Sequence, residues 1–170
     1  DADTRQRLTR GRARARILLT VGHLVTRKGH DTVIRALASM PPAFADVIYL
    51  IVGDGPQRAA LEALAADAGV ADRVLFLGRV ASAELPTLYS AADVFVMASR
   101  ERRAYRDVEG FGIVFVEAAA CGTPSVGGRS GGIADAVIDN QTGLLVDPES
   151  AEAVAEGLML LLADADLRKR

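Results

Sequence analysis

The residues best suited to chemistry lie in segment 109–117, which reads Glu-Gly-Phe-Gly-Ile-Val-Phe-Val-Glu. Glu109 and Glu117 stand at its two ends. The glycines followed by an apolar run predict a loop that turns into a buried helix, which ends near Gly122. A helical side chain leans toward the N-terminus of its helix, so Glu117 would approach backbone amides that the first turn leaves free. Those amides belong to Phe111, Gly112 and Ile113.

A helix mouth of this kind offers amides to an anion and two carboxylates to hydroxyl groups, which suits a phosphate attached to a sugar. Burying a carboxylate costs free energy unless hydrogen-bond donors contact it, so a buried Glu117 requires partners that offset this cost. The alternative is a structural helix in which Glu117 forms a salt bridge with an arginine elsewhere. The segment alone favours neither interpretation.

Length, charge balance and cysteine count limit the class of protein to which the chain can belong. A chain of 170 residues is long enough for one domain with a sizeable core. Its 20 basic and 22 acidic residues give no indication of a nucleic-acid partner. The one cysteine excludes an internal disulfide, so we expect a reducing, cytoplasmic environment. No apolar run approaches the ~20 residues of a membrane-spanning helix.

Short apolar runs that stop at glycine alternate with helical segments along the chain. Strands are predicted at residues 17–21, 47–52, 74–77, 94–97, 125–126 and 143–146. Helices are predicted to start near Asp31, Pro56 and Ser82, and to cover residues 133–137 and 151–163. This alternation predicts an α/β fold with a Rossmann-like parallel sheet and helices on both faces. We expect the folded domain to cover residues 17–163, with 1–16 a linker or cut edge and 164–170 a C-terminal tail.

Ligands of such sheets bind beyond the carboxyl ends of the strands, where glycine-bearing loops begin at Gly22, Gly53, Gly78 and Gly127. The loop after the first strand also carries two candidate phosphate contacts. Lys28 suits a diphosphate as its counter-charge, although this residue taken alone is better explained as a solvated surface cation. The imidazole of His23 can donate or accept a hydrogen bond.

Other motifs are weaker. The turn at Gly53 lacks the third glycine of a dinucleotide-binding fingerprint, because Arg58 holds that position. Two Asp-x-Asp pairs lie at the chain ends, and no His/Cys cluster has the spacing of metal ligands, so we expect no metal. Cys121 is expected to be a buried spacer. Loop 99–108 is basic and could contact an anion through Arg100, Arg102, Arg103 and Arg106.

Six blocks of sequence, taken in order, resemble the retaining glycosyltransferases of family 4, from about Ile17 to Ala163. The blocks are Val-Gly-His-Leu-Val-Thr-Arg-Lys-Gly-His-Asp, Ile-Val-Gly-Asp-Gly-Pro, Val-Leu-Phe-Leu-Gly-Arg-Val, Leu-Tyr-Ser-Ala-Ala-Asp-Val-Phe-Val, the Glu-x7-Glu segment, and Gly-Gly-Ile-Ala-Asp with Thr-Gly-Leu-Leu-Val. The resemblance implies the C-terminal, donor-binding half of a GT-B fold. Residues 99–112 are also locally similar to actinobacterial mannosyltransferases that use GDP-mannose.

The resemblance also implies roles. Glu117 would bind the ribose hydroxyls, and Glu109 would contact the donor sugar. Lys28 and the amides of residues 111–113 would bind the diphosphate, and the backbone of Arg79 and Val80 would meet the base. We expect Gly22, His23 and Gly53 to line the same nucleotide site.

The implied activity is transfer of a hexosyl group, such as mannose, from a nucleoside-diphosphate sugar, with no cofactor beyond that substrate. Acceptor binding, and any peripheral contact with the inner face of the membrane, would come through a missing N-terminal half, so we expect these 170 residues to transfer sugar poorly or not at all. Alternatives are a nucleotide-sugar epimerase of the same fold and a non-catalytic nucleotide-binding module.

Two positions depart from the family pattern. His23 stands where family members usually carry arginine, and Asp135 stands where they usually carry glutamate. We expect the histidine to weaken diphosphate binding at high pH, where imidazole is neutral.

Overall fold

The computed structural model describes residues 2–12, 14–101, 110–165 and 167–169. Six parallel strands form one sheet in the order β3-β2-β1-β4-β5-β6. The strands are β1 (Arg16–Val21), β2 (Val47–Val52), β3 (Val74–Gly78), β4 (Val94–Met97), β5 (Ser125–Gly128) and β6 (Gly143–Val146). The predicted fold class is therefore confirmed, because each apolar run that ends in glycine is a strand buried between two layers.

Helices cover both faces of the sheet. They are α1 (Ala2–Leu8), α2 (His30–Ser39), α3 (Arg58–Asp67), α4 (Leu85–Ala91), α5 (Ile113–Ala120), α6 (Ile133–Ala136) and α7 (Ala151–Ala163). One apolar core joins α2, α3 and α7 to strand residues such as Leu18 and Tyr49. The other joins α4, α5 and α6 to the alternate strand residues, such as Ile17 and Phe95. Successive strand residues therefore face opposite layers, as the pleat of a strand requires.

Two helices start later than predicted. Pro56 lies in a turn, and α3 begins at Arg58, because the amide of Gln57 donates to the Leu24 carbonyl (3.0 Å) instead of starting the helix. Ser82 opens a short 3₁₀ turn (Ser82–Glu84), and α4 follows at Leu85. The first difference comes from a contact with the loop after β1, whereas the second is local, because the amide of Ala81 donates to the carboxylate of Glu84 (3.0 Å).

Asp93 joins the first helix to the centre of the sheet. Its carboxylate accepts hydrogen bonds from the backbone amide of Ile17 (2.7 Å) and from the guanidinium of Arg5 (2.9 Å). The same guanidinium also donates to the carbonyls of Ala91 (2.6 Å) and Ala15 (3.0 Å). Helix α1 is thus tied to the amino ends of β1 and β4.

The order of the strands creates a crevice. The chain leaves β1 toward β2 on one side and leaves β4 toward β5 on the other, so their outgoing loops diverge at the carboxyl edge. Such a switch point is where doubly wound sheets bind ligands.

Candidate functional site

The loop after β1 places Lys28 at this switch point. A side-chain carbon added to Gly22 would lie 3.8 Å from Cε of Lys28 and 3.9 Å from Sδ of Met97, the last residue of β4. The aliphatic stem of Lys28 therefore runs over the ends of β1 and β4. His23 is exposed in the same loop. The structure brings Gly22, His23 and Lys28 together at the predicted edge of the sheet.

Gly53 packs the loop after β2 against the loop after β1. Its φ is 128°, and a Cβ there would lie 2.0 Å from the carbonyl oxygen of Gly22, so only glycine fits. Its amide donates to the carbonyl of Gly78 at the end of β3 (2.8 Å). Loop packing thus accounts for this glycine, and its contact with a ligand stays a prediction.

Arg79 and Val80 follow β3 at the same edge of the sheet. The side chain of Arg79 is exposed, and that of Val80 is half-buried. Val80 also lines a cavity of about 550 Å³ between α1, β3 and α4. β3 lies two strands from β1, so these residues share the edge of the sheet with the predicted phosphate loop, and their contact with the base stays a prediction.

The mouth of α5 opens at the same edge, because this helix returns the chain from the carboxyl end of β4 to the amino end of β5. Gly112 caps it in the left-handed region (φ 72°), and its carbonyl accepts the amide of Phe115 (2.9 Å). The amides of residues 111–113 precede this first bond, and a helix N-terminus of this kind can bind an anion. Beside them, Phe111 is 52% exposed and Ile113 is 67% exposed.

The prediction of a buried helix is wrong for α5. Only Phe115 and Ala118 are buried, while Val116 is 44% exposed. The helix forms an outer layer on one face of the sheet, so its other side faces solvent even though its residues are apolar. Glu117 is consequently half-buried, and burying it costs less than the sequence suggested.

The hydroxyl of Tyr89, on α4, donates a hydrogen bond to Oε2 of Glu117 (2.7 Å). Within the described residues, no arginine or lysine forms a salt bridge with Glu117, so the proposed structural salt bridge is absent there. Burial raises the pKa of Tyr89, and the neighbouring carboxylate raises that pKa further. The phenol therefore stays protonated and remains a donor.

Glu109 lies outside the described residues, as do Arg102, Arg103 and Arg106 of the basic loop. The first arginine of that loop, Arg100, is engaged within the protein. Its guanidinium donates to both carboxylate oxygens of Asp31 (3.0 Å each) and to the hydroxyl of Thr32 (3.1 Å).

The helix predicted to start near Asp31 was expected to have that residue as its N-terminal cap. The cap of α2 is Gly29, so the predicted role of Asp31 is wrong. Its carboxylate instead holds the loop after β4 against α2 through Arg100.

Sequence reasoning missed Tyr89. Tyr89 lies in the block Leu-Tyr-Ser-Ala-Ala-Asp-Val-Phe-Val, but it was interpreted only as part of the helix that follows Ser82. Residues 89 and 117 lie on different helices, so only the packing of α4 on α5 brings them together. A tyrosine in an apolar stripe, facing a carboxylate of unexplained burial, was the available signal.

Cavity size does not locate the site. A cavity of about 590 Å³ lies at the opposite, amino edge of the sheet, between the end of α5 and the start of β6.

Among the described residues, no group of three or more His, Cys, Asp or Glu side chains could hold a metal ion. No helix in that part of the chain is both long and apolar enough to cross a membrane.

The sequence profile described as "Glycosyl transferases group 1" matches residues 5–170. The chain belongs to this family. This group 1 glycosyltransferase chain is 43% identical over 164 residues to the GDP-mannose-dependent alpha-(1-6)-phosphatidylinositol monomannoside mannosyltransferase of Mycolicibacterium smegmatis. That match covers 96% of the chain and 43% of the relative.

Two solved structures extend the comparison. The chain superposes on Anabaena HepE in complex with UDP with a TM-score of 0.84 and 27% identity, covering 99% of the chain and 45% of HepE. It also superposes on the C-terminal domain of a glycosyl transferase group 1 protein, LpcC, from Francisella tularensis. There the TM-score is 0.79, the identity 26%, and the coverage 97% of the chain and 85% of LpcC. The group 1 chain thus spans less than half the length of the mannosyltransferase and of HepE.

Proposed function

We propose that this chain is the C-terminal, donor-binding domain of a retaining, family 4 glycosyltransferase that transfers a hexosyl group from a nucleoside-diphosphate sugar. The observation that carries the proposal is the convergence of three features at one edge of the sheet. These are the Lys28 stem over the switch point, the open amides of α5, and Glu117 one turn into that helix.

Each feature fits one part of the donor. The cation of Lys28 and the amides of α5 match a diphosphate, and the carboxylate of Glu117 matches ribose hydroxyls. During transfer, Lys28 and the helix mouth would stabilise the charge that builds up on the leaving nucleoside diphosphate. These groups supply positive potential without a metal, so we propose metal-independent transfer. Glu109 would contact the donor sugar.

The comparisons favour GDP-mannose as the donor, because the mannosyltransferase at 43% identity is named GDP-mannose-dependent. HepE, at 27% identity, was crystallised with UDP, so a binding test must compare the affinities for GDP and UDP. The epimerase and the non-catalytic module are not favoured, since the named mannosyltransferase is a transferase. Acceptor binding, and any membrane contact of a cytoplasmic enzyme, would belong to an N-terminal half.

Calorimetric titration of the chain with GDP, UDP and ADP tests the proposal directly. We expect GDP to bind most tightly and Glu117→Gln to weaken it about tenfold, because a charge-assisted hydrogen bond is lost. Glu156→Gln is the matched control, since Glu156 is an exposed helical glutamate on α7, on the other face of the sheet. Equal, weak binding of all three nucleotides would refute donor binding.

Catalysis needs a separate assay. In the full-length enzyme, Glu109→Ala should abolish mannosyl transfer while leaving GDP binding within about twofold, because Glu109 is proposed to touch the sugar and not the nucleotide. The 170-residue chain alone should show little or no transfer. Full-rate transfer by this chain would contradict the assignment of acceptor binding to another half.

A further inference from the structure

We propose that Tyr89 is a positioning residue for the ribose of the donor: its hydroxyl holds Oε2 of Glu117 so that Oε1 is left, already oriented, for the ribose hydroxyls. This inference rests on the proposed donor-binding function. It adds a residue on α4, which makes none of the proposed contacts with the nucleotide.

Tyr89 itself is held firmly. It is 1% exposed, and its ring packs against Phe95 of β4 with centroids 5.7 Å apart. Phe95 in turn meets Phe115 of α5 edge-on at 5.2 Å. The backbone carbonyl of Tyr89 also accepts the hydroxyl of Thr123, which follows α5 (2.7 Å). Ring and backbone are therefore fixed to the sheet and to the segment that carries Glu117.

A fixed phenol determines where the carboxylate lies. A glutamate on a half-exposed helix samples several rotamers, and a ligand that needs one of them must pay for ordering the side chain. The 2.7 Å bond from Tyr89 selects one arrangement before any ligand arrives. Because the phenol donates to Oε2, a ribose hydroxyl meets Oε1 without competing for the same oxygen.

The bond has a purely structural alternative. A buried phenol needs an acceptor, and Glu117 provides one whether or not a nucleotide ever binds. The two explanations predict different effects of removing the Tyr89 hydroxyl on ligand affinity. If Tyr89 positions Glu117, the affinity for ligands with ribose hydroxyls falls most. If the bond only satisfies the buried phenol, the affinity for every ligand changes equally.

Calorimetry with GDP and 2′,3′-dideoxy-GDP measures this coupling in the wild-type chain and in Tyr89→Phe. We expect Tyr89→Phe to weaken GDP about fivefold and dideoxy-GDP less than about twofold. Tyr49→Phe is the matched control, because it also removes a buried hydroxyl but lies on β2, where it bonds Thr20 and His30. It should leave the ratio of the two affinities unchanged.

The outcomes separate the two proposals. If wild type prefers GDP over dideoxy-GDP but Tyr89→Phe keeps the full preference, positioning by Tyr89 is overturned and donor binding stands. If wild type binds GDP and dideoxy-GDP equally tightly, ribose recognition by Glu117 and its positioning by Tyr89 both fail, while donor binding through the diphosphate stands.

A measurement on the wild-type chain avoids any variant. The chain has three tyrosines and no tryptophan, so a ¹³C-tyrosine NMR spectrum is simple to assign. Saturating GDP should shift the Tyr89 ring resonance clearly more than saturating dideoxy-GDP does. Equal shifts with the two nucleotides would overturn the inference.

Discussion

Acid should destabilise this protein through His30, which lies 1% exposed at the start of α2. Burial lowers the pKa of His30 from 6.5 to about 4, although the His23 carbonyl and Asp31 oppose the shift. Lys28 adds to it. A neutral imidazole is therefore part of the folded state at physiological pH.

The hydrogen bonds of His30 determine which of its two ring nitrogens would bind a second proton. The hydroxyl of Thr20 donates to the Val96 carbonyl, so the hydroxyl of Tyr49 donates to Thr20 (2.8 Å). Nδ1–H of His30 then donates to the Tyr49 oxygen (3.3 Å). Nε2 is buried without a hydrogen-bond partner among the described residues, so protonating it would place an unpaired charge in the interior.

The size of the effect follows from linkage. The unfolded chain binds this proton near pH 6.5 and the folded chain near pH 4, so falling pH favours the unfolded state between those values. The 2.5-unit difference corresponds to about 3 kcal/mol in total, of which about 2 kcal/mol is lost between about pH 7 and pH 5.

Urea denaturation at about pH 7, 6 and 5 measures this slope. His30→Asn, which keeps an N–H donor but does not titrate, should be less stable at neutral pH and lose about 2 kcal/mol less on acidification. His23→Gln is the matched control, because it removes the other of the chain's two histidines from an exposed position and should keep the slope. Parallel loss of stability in wild type and His30→Asn would refute the buried neutral imidazole.

Three further predictions concern the loops at the carboxyl edge. Gly53→Ala should cost at least about 2 kcal/mol in urea denaturation, because its Cβ would overlap a carbonyl oxygen at 2.0 Å. Gly110→Ala, whose Cβ would meet nothing within 4 Å among the described residues, should be near neutral, and equal losses would contradict this packing. A double-mutant cycle of Arg100→Gln and Asp31→Asn should give a coupling of about 1 kcal/mol, and strict additivity would show that the pair contributes nothing. His23→Arg should tighten GDP binding in calorimetry, because arginine would place a permanent cation in the predicted phosphate loop; unchanged affinity would mean that His23 does not contact phosphate.

The sheet was predictable because its central strands, such as β2 and β4, are buried on both faces. Residues 47–52, 94–97 and 143–146 were assigned to strands with the bounds that the structure has, since a continuous apolar run stopped by a turn has few other readings. The last helix, Ala151–Ala163, was equally clear from its apolar stripe, and in the structure the side chain of Ser150 caps it.

The site was only partly predictable, because its geometry depends on which layers meet. The glycine-bearing loops were expected at one edge of the sheet and lie there, as parallel topology requires, while ligand binding at that edge stays a prediction. The exposure of α5 and the bond from Tyr89 to Glu117 could not be read locally, since they arise between elements 28 residues apart. Arg100 was likewise taken as a possible ligand contact, although Asp31, 69 residues earlier, engages it.

Asp93 has a practical consequence for how the chain can be shortened. Helix α1 shares this carboxylate with the start of β1, so the helix is anchored to that strand. Trimming the chain to residue 17 would remove Arg5 and, with it, the hydrogen bonds that Arg5 donates to the Ala91 carbonyl and the Asp93 carboxylate. Expression of the domain is therefore better begun ahead of α1 than at the first strand.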